Sequence, residues 1–200
     1  MEKEEFNKII RFYRELAAEE IEMENKVGNT VIGPRDELQG KLDLTHVMDP
    51  KRPFFTSKSR SDDKYVSTFR MGHFNTPEVL SKSVKGANYV GGMEFGSNLI
   101  KQKVVTDIDD LVLFLLDYKF GILDLVNEEE INGKNILDLR VYECIECACL
   151  PNLGKPTCIF EAGMITGILT EMTRKDVSAK EIRCWTNGYS FCQFEVTVDE

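Results

Sequence analysis

The chain has 200 residues, a formal net charge of −9 and 42% hydrophobic residues, which predicts one folded domain, or one domain with an arm. No stripe of lysine and arginine stands out, so we expect no nucleic-acid partner. The longest apolar run, Leu111–Leu116, is too short to cross a bilayer, and the acidic start MEKEEFNK lacks the apolar core of a signal peptide. Six cysteines without such a signal predict a reducing, cytoplasmic location.

Residues 2–25 have the pattern of an amphipathic helix. Its apolar side chains recur at spacings of three and four: Phe6, Ile9, Ile10, Tyr13, Leu16, Ala17 and Ile21. Such a stripe is a packing surface, either for the helix's own domain or for a second subunit.

The region that follows, residues 26–74, is less regular. Val31-Ile32 and Leu42-Asp43-Leu44 are predicted to be short strands, while Gly33-Pro34, Asp49-Pro50 and Ser57–Asp63 have the composition of turns or loops.

Two helices are predicted next. Thr76-Pro77-Glu78 is a good helix start, and the helix should run through Ile100. Thr106 is predicted to cap a second helix that ends at Asp117. The first helix carries four glycines, which are unfavourable in a helix interior: Gly86, Gly91, Gly92 and Gly96. They indicate either close packing against another element or room for a ligand beside the backbone.

The remaining chain alternates strands with one helix. Phe120–Asn127 and Ile136–Cys144 are predicted strands, and the Asn132-Gly133 pair between them is typical of a hairpin turn. Pro156–Met172 is a predicted helix. Two final strands, Lys180–Trp185 and Phe191–Val198, close the chain. Helices first and hairpin strands later predict an α+β fold, with helices packed on an antiparallel sheet.

The three cysteines of the last third are candidates for one metal site. If a three-residue loop joins the final strands, Cys184 lies directly opposite Cys192, with Cβ atoms about 5 Å apart. A two-residue turn would instead pair Cys184 with Phe191 and separate the thiols. Cys158 starts a helix, where thiolate is stabilised. These three thiols with a fourth ligand would form a closed zinc site.

The fourth ligand is less clear from spacing alone. Glu181 lies three residues before Cys184, so in a regular strand it faces the other way, and only a bulge or a twisted strand end would bring it in. Cys147 and Cys149 therefore rank above it on geometry. A second metal site formed by Cys144, Cys147 and Cys149 stays open, because the C-x-x-C spacing alone is a weak signal.

From about Gly86 onward, the sequence resembles the 4-vinyl-reductase (hydrocarbon-binding) domain family. The resemblance rests on Gly163 and Gly167 after Cys158, and on the ending E-x-x-C-x-x-x-G-x-x-x-C-x-F from Glu181 to Phe194. The family implies a fold shared with the ligand-binding domains of nitric-oxide sensors, with phenol-sensing domains of transcription activators and with small subunits of vesicle-tethering complexes. It also implies a homodimer, an internal apolar pocket and a zinc ion.

The resemblance implies residue roles and a domain division. Zinc would be held by Cys158, Glu181, Cys184 and Cys192. Residues 1–75 would form the N-terminal helix and an irregular arm or lid, and residues 76–200 the ligand-binding domain. We expect the pocket between the 76–100 helix and the strands spanning 120–144, and its predicted lining is Gly92, Phe95, Tyr118, Phe120, Leu137 and Leu139.

The sequence predicts a non-catalytic binding or sensor domain for a small apolar molecule, with a structural zinc ion. A closed set of three cysteines and one glutamate leaves no position for a reacting water, and no dinucleotide-binding or nucleophile motif is visible. Two alternatives remain: a dimeric assembly protein without a ligand, or an enzyme or accessory protein acting on a tetrapyrrole vinyl group.

Overall fold

The protein is described by a computed structural model that covers residues 3–48, 51–56, 64, 66–70 and 81–199. Helix α1 (Lys3–Glu22) is followed by a small hairpin of β1 (Asn25–Val27) and β2 (Thr30–Ile32). Two short helices, α2 (Leu44–Met48) and α3 (Pro53–Thr56), come next. Among the described residues, no helix has both the length and the apolar character needed to cross a bilayer.

The second part of the chain forms the main sheet and the helices against it. The elements are helix α4 (Ser81–Lys101), helix α5 (Ile108–Asp117), strand β3 (Ile122–Ile131), strand β4 (Lys134–Tyr142), helix α6 (Ile159–Thr173), strand β5 (Val177–Arg183) and strand β6 (Cys192–Val198). The four strands pair antiparallel in the order β3-β4-β6-β5. The predicted α+β fold, with helices packed on an antiparallel sheet, is therefore confirmed.

Each face of the main sheet packs against a different set of helices. On one face, α1 supplies Tyr13 and Ala17 to a core with Ile122, Tyr142 and Phe191. On the other face, α6 packs into a larger core, in which it meets inward side chains of β4, β5 and β6 such as Leu139, Ala179 and Phe194. We call these the α1 side and the α6 side of the sheet.

The hairpin between β3 and β4 follows its local sequence signal. Asn132 and Gly133 have φ angles of 53° and 79°, and Ile131 pairs with Lys134. Two consecutive left-handed residues form the turn whose twist matches the flanking strands, so the predicted Asn-Gly hairpin is confirmed.

Several predicted strands and the helix Pro156–Met172 form with ends shifted by up to four residues. Three further predictions are wrong because a short polar interaction or strand pairing overrides the local sequence pattern. The first helix ends at Glu22, since Asn25–Val27 pairs with β2. Leu42-Asp43-Leu44 is not a strand, because the Asp43 carboxylate accepts from the backbone N–H of Thr45 at 2.8 Å and α2 begins there. Asp107, not Thr106, caps α5 by accepting from the backbone N–H of Asp110 at 2.9 Å.

Several predictions fall outside the described residues. These are the turns at Asp49-Pro50 and Ser57–Asp63, the helix start at Thr76-Pro77-Glu78, and the proposed boundary between residues 75 and 76.

The glycines of α4 explain how closely it packs along α6. A Cβ atom added to Gly92 would lie 2.1 Å from the carbonyl oxygen of Phe160, and one added to Gly163 would lie 2.1 Å from that of Tyr89. Gly96 and Gly167 meet the facing backbone at similarly short distances. Of the two explanations that the sequence allowed, close packing is the one observed for Gly92 and Gly96.

Candidate functional site

Five of the six cysteine side chains meet in one buried cluster at the start of α6. They are Cys144, Cys147, Cys158, Cys184 and Cys192, and each is 0% exposed. No two of the six cysteines are joined by a disulfide. The sixth, Cys149, lies outside this cluster, and its thiol instead contacts the backbone carbonyl of Lys51.

Strand pairing brings Cys184 and Cys192 together. Arg183 pairs with Gln193, so the next step of the same register sets Cys184 opposite Cys192, and their Sγ atoms are 4.0 Å apart. The connection is not the predicted three-residue loop, because both strands stop early. A 3-10 turn, Trp185–Asn187, and a left-handed Gly188 with φ of 101° bridge the gap instead.

A bulge in β5 turns Glu181 towards the cysteines. The β5–β6 register shifts between Glu181, which pairs with Phe194, and Arg183, which pairs with Gln193. One extra residue on β5 reverses the alternation of side chains. Glu181 and Cys184 therefore face the same side although three positions separate them, and this resolves the geometric objection to Glu181.

Glu181 is anchored through one of its oxygens only. Its Oε2 accepts from the backbone N–H of Cys158, at 2.8 Å, which satisfies the first amide at the start of α6. Its Oε1 is buried and has no hydrogen-bond partner among the described residues. A buried carboxylate oxygen without a partner is costly unless a cation binds there.

The donor set predicted from the family resemblance fits a tetrahedral metal ion. The ligand atoms of Cys158, Glu181, Cys184 and Cys192 all lie within 4.8 Å of one another. Cys158 Sγ is 3.6 Å from that of Cys192 and 3.8 Å from that of Cys184. Zinc–sulfur bonds of about 2.3 Å at tetrahedral angles set sulfur atoms about 3.8 Å apart. The structure thus brings the four predicted ligands together at distances suited to one ion.

The cluster also contains donors that the predicted set leaves out. Cys144 Sγ lies 3.5 Å from that of Cys158, and Cys147 Sγ lies 3.1 Å from that of Cys192. Glu161, in the first turn of α6, approaches Cys144 Sγ at 3.2 Å with its Oε1. Sequence reasoning missed Glu161, although a single acid in the apolar run CIFEAGMITGIL was a usable signal.

Burial controls the protonation of these groups in the absence of a cation. Burial raises the pKa of the Cys158 and Cys192 thiols, and raises the pKa of the Glu181 carboxyl well above its usual range. Burial also opposes ionisation of Cys184, but hydrogen bonds from neighbouring thiols outweigh it and lower the pKa of that thiol. A divalent ion would replace the shared protons, because thiolate and carboxylate are the binding forms.

An apolar pocket of about 390 Å³ lies on the α6 side of the sheet, next to the edge strand β3. Its lining is drawn from α1, α5, α6, β3 and β4: Phe6, Ile108, Leu111, Val112, Leu123, Asp124, Leu125, Glu128, Leu137, Leu139, Ile165 and Leu169. Among these described lining residues, Asp124 and Glu128 alone carry charge. Asp124 is paired with Arg14, so Glu128 is the carboxylate that makes the pocket favour a neutral ligand over an anion.

The residues predicted for the pocket are divided by the structure. Leu137 and Leu139 line it. Phe95 and Phe120 instead pack in an aromatic group with Phe114, with ring centroids 6.1 to 6.5 Å apart. Tyr118 is 66% exposed, and Gly92 faces α6. The space expected beside Gly92 is filled by the backbone of α6, so the pocket lies nearer to α5 than the glycine pattern indicated.

Comparison with known proteins identifies the C-terminal part of the chain. The family model of the 4-vinyl-reductase domain matches residues 137–198. The uncharacterized protein MJ1642 of Methanocaldococcus jannaschii is 36% identical over 131 residues, which are 66% of this chain and 76% of that protein.

Two solved structures are also similar to this chain. One is a vinyl-4-reductase family protein of Methanocaldococcus jannaschii, at 20% identity and a TM-score of 0.48, with 78% of this chain and 92% of that chain covered. The other is the phenol-responsive sensory domain of the transcription activator PoxR with phenol, at 11% identity and a TM-score of 0.44, covering 92% and 89% of the two chains.

Proposed function

Since the chain belongs to the 4-vinyl-reductase domain family, we propose that it is a non-catalytic binding or sensor domain for a small apolar molecule, with a structural zinc ion. The observation that carries this proposal is the apolar pocket lined by Leu137 and Leu139. Pockets that enclose small ligands measure about 300–1,000 Å³ and combine apolar walls with a few polar groups. The pocket therefore has a size and lining suited to a phenol-sized or short-chain apolar molecule.

Zinc is proposed for the set of Cys158, Glu181, Cys184 and Cys192. Four protein ligands close a tetrahedral site and leave no position for a substrate or a water nucleophile. Bound there, zinc would tie β5, β6 and the start of α6 together, because these elements supply the four ligands. This arrangement supports a structural ion and a non-catalytic protein.

The pocket and the zinc set are linked through α6. Ile165 and Leu169 line the pocket, while Cys158 lies just before the first residue of the same helix. Ligand binding that shifts α6 would therefore move a residue of the zinc set. This continuity supports a sensing role, in which occupancy of the pocket is transmitted along one rigid helix.

A homodimer is also proposed. The apolar stripe of α1 packs on its own sheet, so it does not supply the interface. Exposed apolar side chains on α5 and β3 are better candidates: Ile108, Leu113 and Leu125 are 42%, 56% and 44% exposed. Light scattering at micromolar concentration should report twice the chain mass of 22.9 kDa, and a monomer would contradict this part of the proposal.

A thermal-shift experiment tests the binding function. Phenols, fatty acids, isoprenoids and tetrapyrroles are added to the zinc-loaded protein, and a bound ligand at a hundred times its Kd should stabilise the fold by about 2.7 kcal/mol. Neutral phenols and isoprenoids should give larger shifts than fatty-acid anions, because the Glu128 carboxylate lines the pocket.

Two tryptophan variants locate the binding site. Leu137→Trp places a large ring in the pocket and should abolish the shift. Val90→Trp, at an exposed position on α4 that does not line this pocket, should leave the shift unchanged. The proposal fails if no compound class stabilises the protein, or if Leu137→Trp binds as well as the parent.

A further inference from the structure

We propose that the cysteine cluster binds two thiophilic divalent ions. Cys144 and Cys147 bind the second ion, and the thiolates of Cys158 and Cys192 bridge the first ion to the second. The inference deepens the proposed zinc site and rests on it. The first ion has the ligands Cys158, Glu181, Cys184 and Cys192, and the second shares two of them.

The positions of the sulfur atoms carry the proposal. The ligand atoms of Cys144, Cys147, Cys158 and Cys192 also lie within 4.8 Å of one another. Cys158 Sγ contacts that of Cys144 at 3.5 Å and that of Cys192 at 3.6 Å, and Cys192 Sγ contacts that of Cys147 at 3.1 Å. The two four-ligand sets therefore share Cys158 and Cys192, which is the ligand sharing that two tetrahedral ions joined by bridging thiolates require.

A single ion would leave part of the cluster unused. Cys144 and Cys147 are both 0% exposed and belong only to the second set. Beside Cys144, the Glu161 side chain is 2% exposed, and its Oε2 has no hydrogen-bond partner in the described part of the chain.

Charge also favours two ions. Five thiolates and the Glu181 carboxylate carry six negative charges, of which two divalent ions neutralise four. Two arginines beside the cluster supply the other two positive charges. Arg70 donates to the carbonyl oxygen of Ile145 at 2.7 Å, and Arg35 donates to that of Tyr189 at 2.5 Å. Both guanidinium groups lie in the electrostatic field of the cluster thiols, so two ions bring this ligand set closer to neutral than one ion does.

The turn after β4 explains how the second pair of ligands is presented. Residues 145–149 form a turn directly after Cys144, in which the backbone N–H of Ala148 donates to the carbonyl oxygen of Cys144 at 3.0 Å. This compact C-x-x-C turn directs Cys144 and Cys147 to the same cluster, a spacing typical of metal ligands. The binding of each thiolate releases a proton to solvent.

Metal stoichiometry tests the proposal directly. The full chain, purified without oxygen, is reconstituted with excess Zn²⁺ and desalted, and zinc per chain is measured by plasma mass spectrometry and by native mass spectrometry. We expect two zinc ions. One zinc ion would overturn the second site and leave the proposed function standing, whereas no zinc would overturn both.

Three serine variants assign the ions to their ligands. Cys147→Ser, which removes a ligand of the second set only, and Cys184→Ser, which removes one of the first set only, should each retain one zinc ion. Cys149→Ser is the matched control, because this cysteine lies in neither set, and it should retain two. A Cys147→Ser variant that still holds two zinc ions overturns the proposal.

Cobalt binding to the parent protein tests whether the two ions share thiolate ligands, without any variant. Co²⁺ is titrated into the metal-free chain and followed by visible absorbance and electron paramagnetic resonance. Bridging thiolates couple two Co²⁺ ions, so the resonance signal should rise with the first equivalent and fall with the second. A signal that grows in proportion to both equivalents would overturn the sharing of Cys158 and Cys192.

Discussion

The two sides of the sheet differ in whether their buried carboxylate oxygens have hydrogen-bond donors. On the α1 side, Asp124 accepts from Arg14 and Tyr142, Glu143 accepts from Tyr13 and from the backbone of α3, and Glu20 accepts from Ser190. Every oxygen of these three carboxylates has a donor. On the α6 side, Glu161 Oε2 and Glu181 Oε1 have no partner within the described ranges.

This difference separates polar groups that hold the fold from polar groups that bind a ligand. A buried carboxylate with all of its hydrogen bonds made is a structural feature of the protein alone. A buried carboxyl with a free oxygen, beside five thiols, either keeps its proton or is ionised by a cation that supplies the missing interaction. The α1 side should therefore be stable without metal, and the α6 side should depend on it.

Metal removal should give the largest effect. Chelation removes interactions whose apparent free energy in small zinc domains is on the order of 10 kcal/mol. We expect the free energy of unfolding to fall by most of that amount, with loss of order concentrated in β5, β6 and the start of α6 by hydrogen exchange. A metal-free protein that melts within a few degrees of the zinc-loaded one would remove the distinction between the two sides.

On the α1 side, the matching experiment is Glu20→Ala. It leaves the backbone N–H and hydroxyl of Ser190, both bonded to Glu20 at 2.6 Å, without an acceptor. The expected destabilisation is about 3 kcal/mol, measured by urea unfolding, with the metal content unchanged. Glu19→Ala, at the exposed neighbouring position, serves as the control and should change stability by less than about 0.5 kcal/mol. Equal effects of the two variants would contradict this account.

A pair of glycine variants tests how far helix packing, without metal, holds α6 in place. Gly92→Ala places a methyl group 2.1 Å from the carbonyl oxygen of Phe160, so α4 and α6 must separate, at a cost of about 1–3 kcal/mol. Gly91→Ala meets nothing within 4 Å and should stabilise α4 by about 0.4–1 kcal/mol. Opposite signs in thermal unfolding are expected, and equal signs would contradict the close-packed seam.

The sequence predicts features that depend on local periodicity. The amphipathic stripe of α1 and the Asn132-Gly133 turn are local signals, and both elements form, although α1 ends at Glu22. The even separation of Cys184 and Cys192 correctly indicated that the two thiols meet, because Arg183 and Gln193 pair directly beside them. The alternation of side chains along a regular strand predicted the wrong face for Glu181, because the bulge before Arg183 has no local sequence signal. Only the family resemblance identified this residue as a candidate ligand.

Features created by contacts distant in sequence were harder to predict. Glycines on α4 indicate that something lies close to the backbone, but not whether it is a ligand or another helix. The structure shows α6 there, so the pocket moves towards α5. Likewise, the C-x-x-C pair of Cys144 and Cys147 is weak evidence alone. It joins the buried cysteine cluster only because β4 ends beside Cys158 and Cys192.

The smallest predicted effect concerns an ion pair that joins α1 to the β5–β6 end of the sheet. Glu24 accepts from Arg183 Nε at 3.0 Å and from the Tyr189 hydroxyl at 2.9 Å. Burial acts to raise the pKa of Glu24, but these hydrogen bonds outweigh it and lower the pKa below its usual range. A lowered pKa in the folded state means that the pair's stabilisation is present above the unfolded-state value, about 4.3, and is lost as the pH falls through the folded-state value.

Glu24→Gln should therefore be less stable than the parent by about 1 kcal/mol at pH 7. The difference should vanish on acidification below about pH 4. Urea unfolding of both proteins over this range measures it, and the contribution of the metal is common to both and cancels. Glu22→Gln, at an exposed position, controls for the loss of one negative charge. A difference in unfolding free energy that persists at low pH would show that Glu24 stabilises the fold through packing rather than through its charge. The comparison of the two sides would then depend only on Asp124, Glu143 and Glu20.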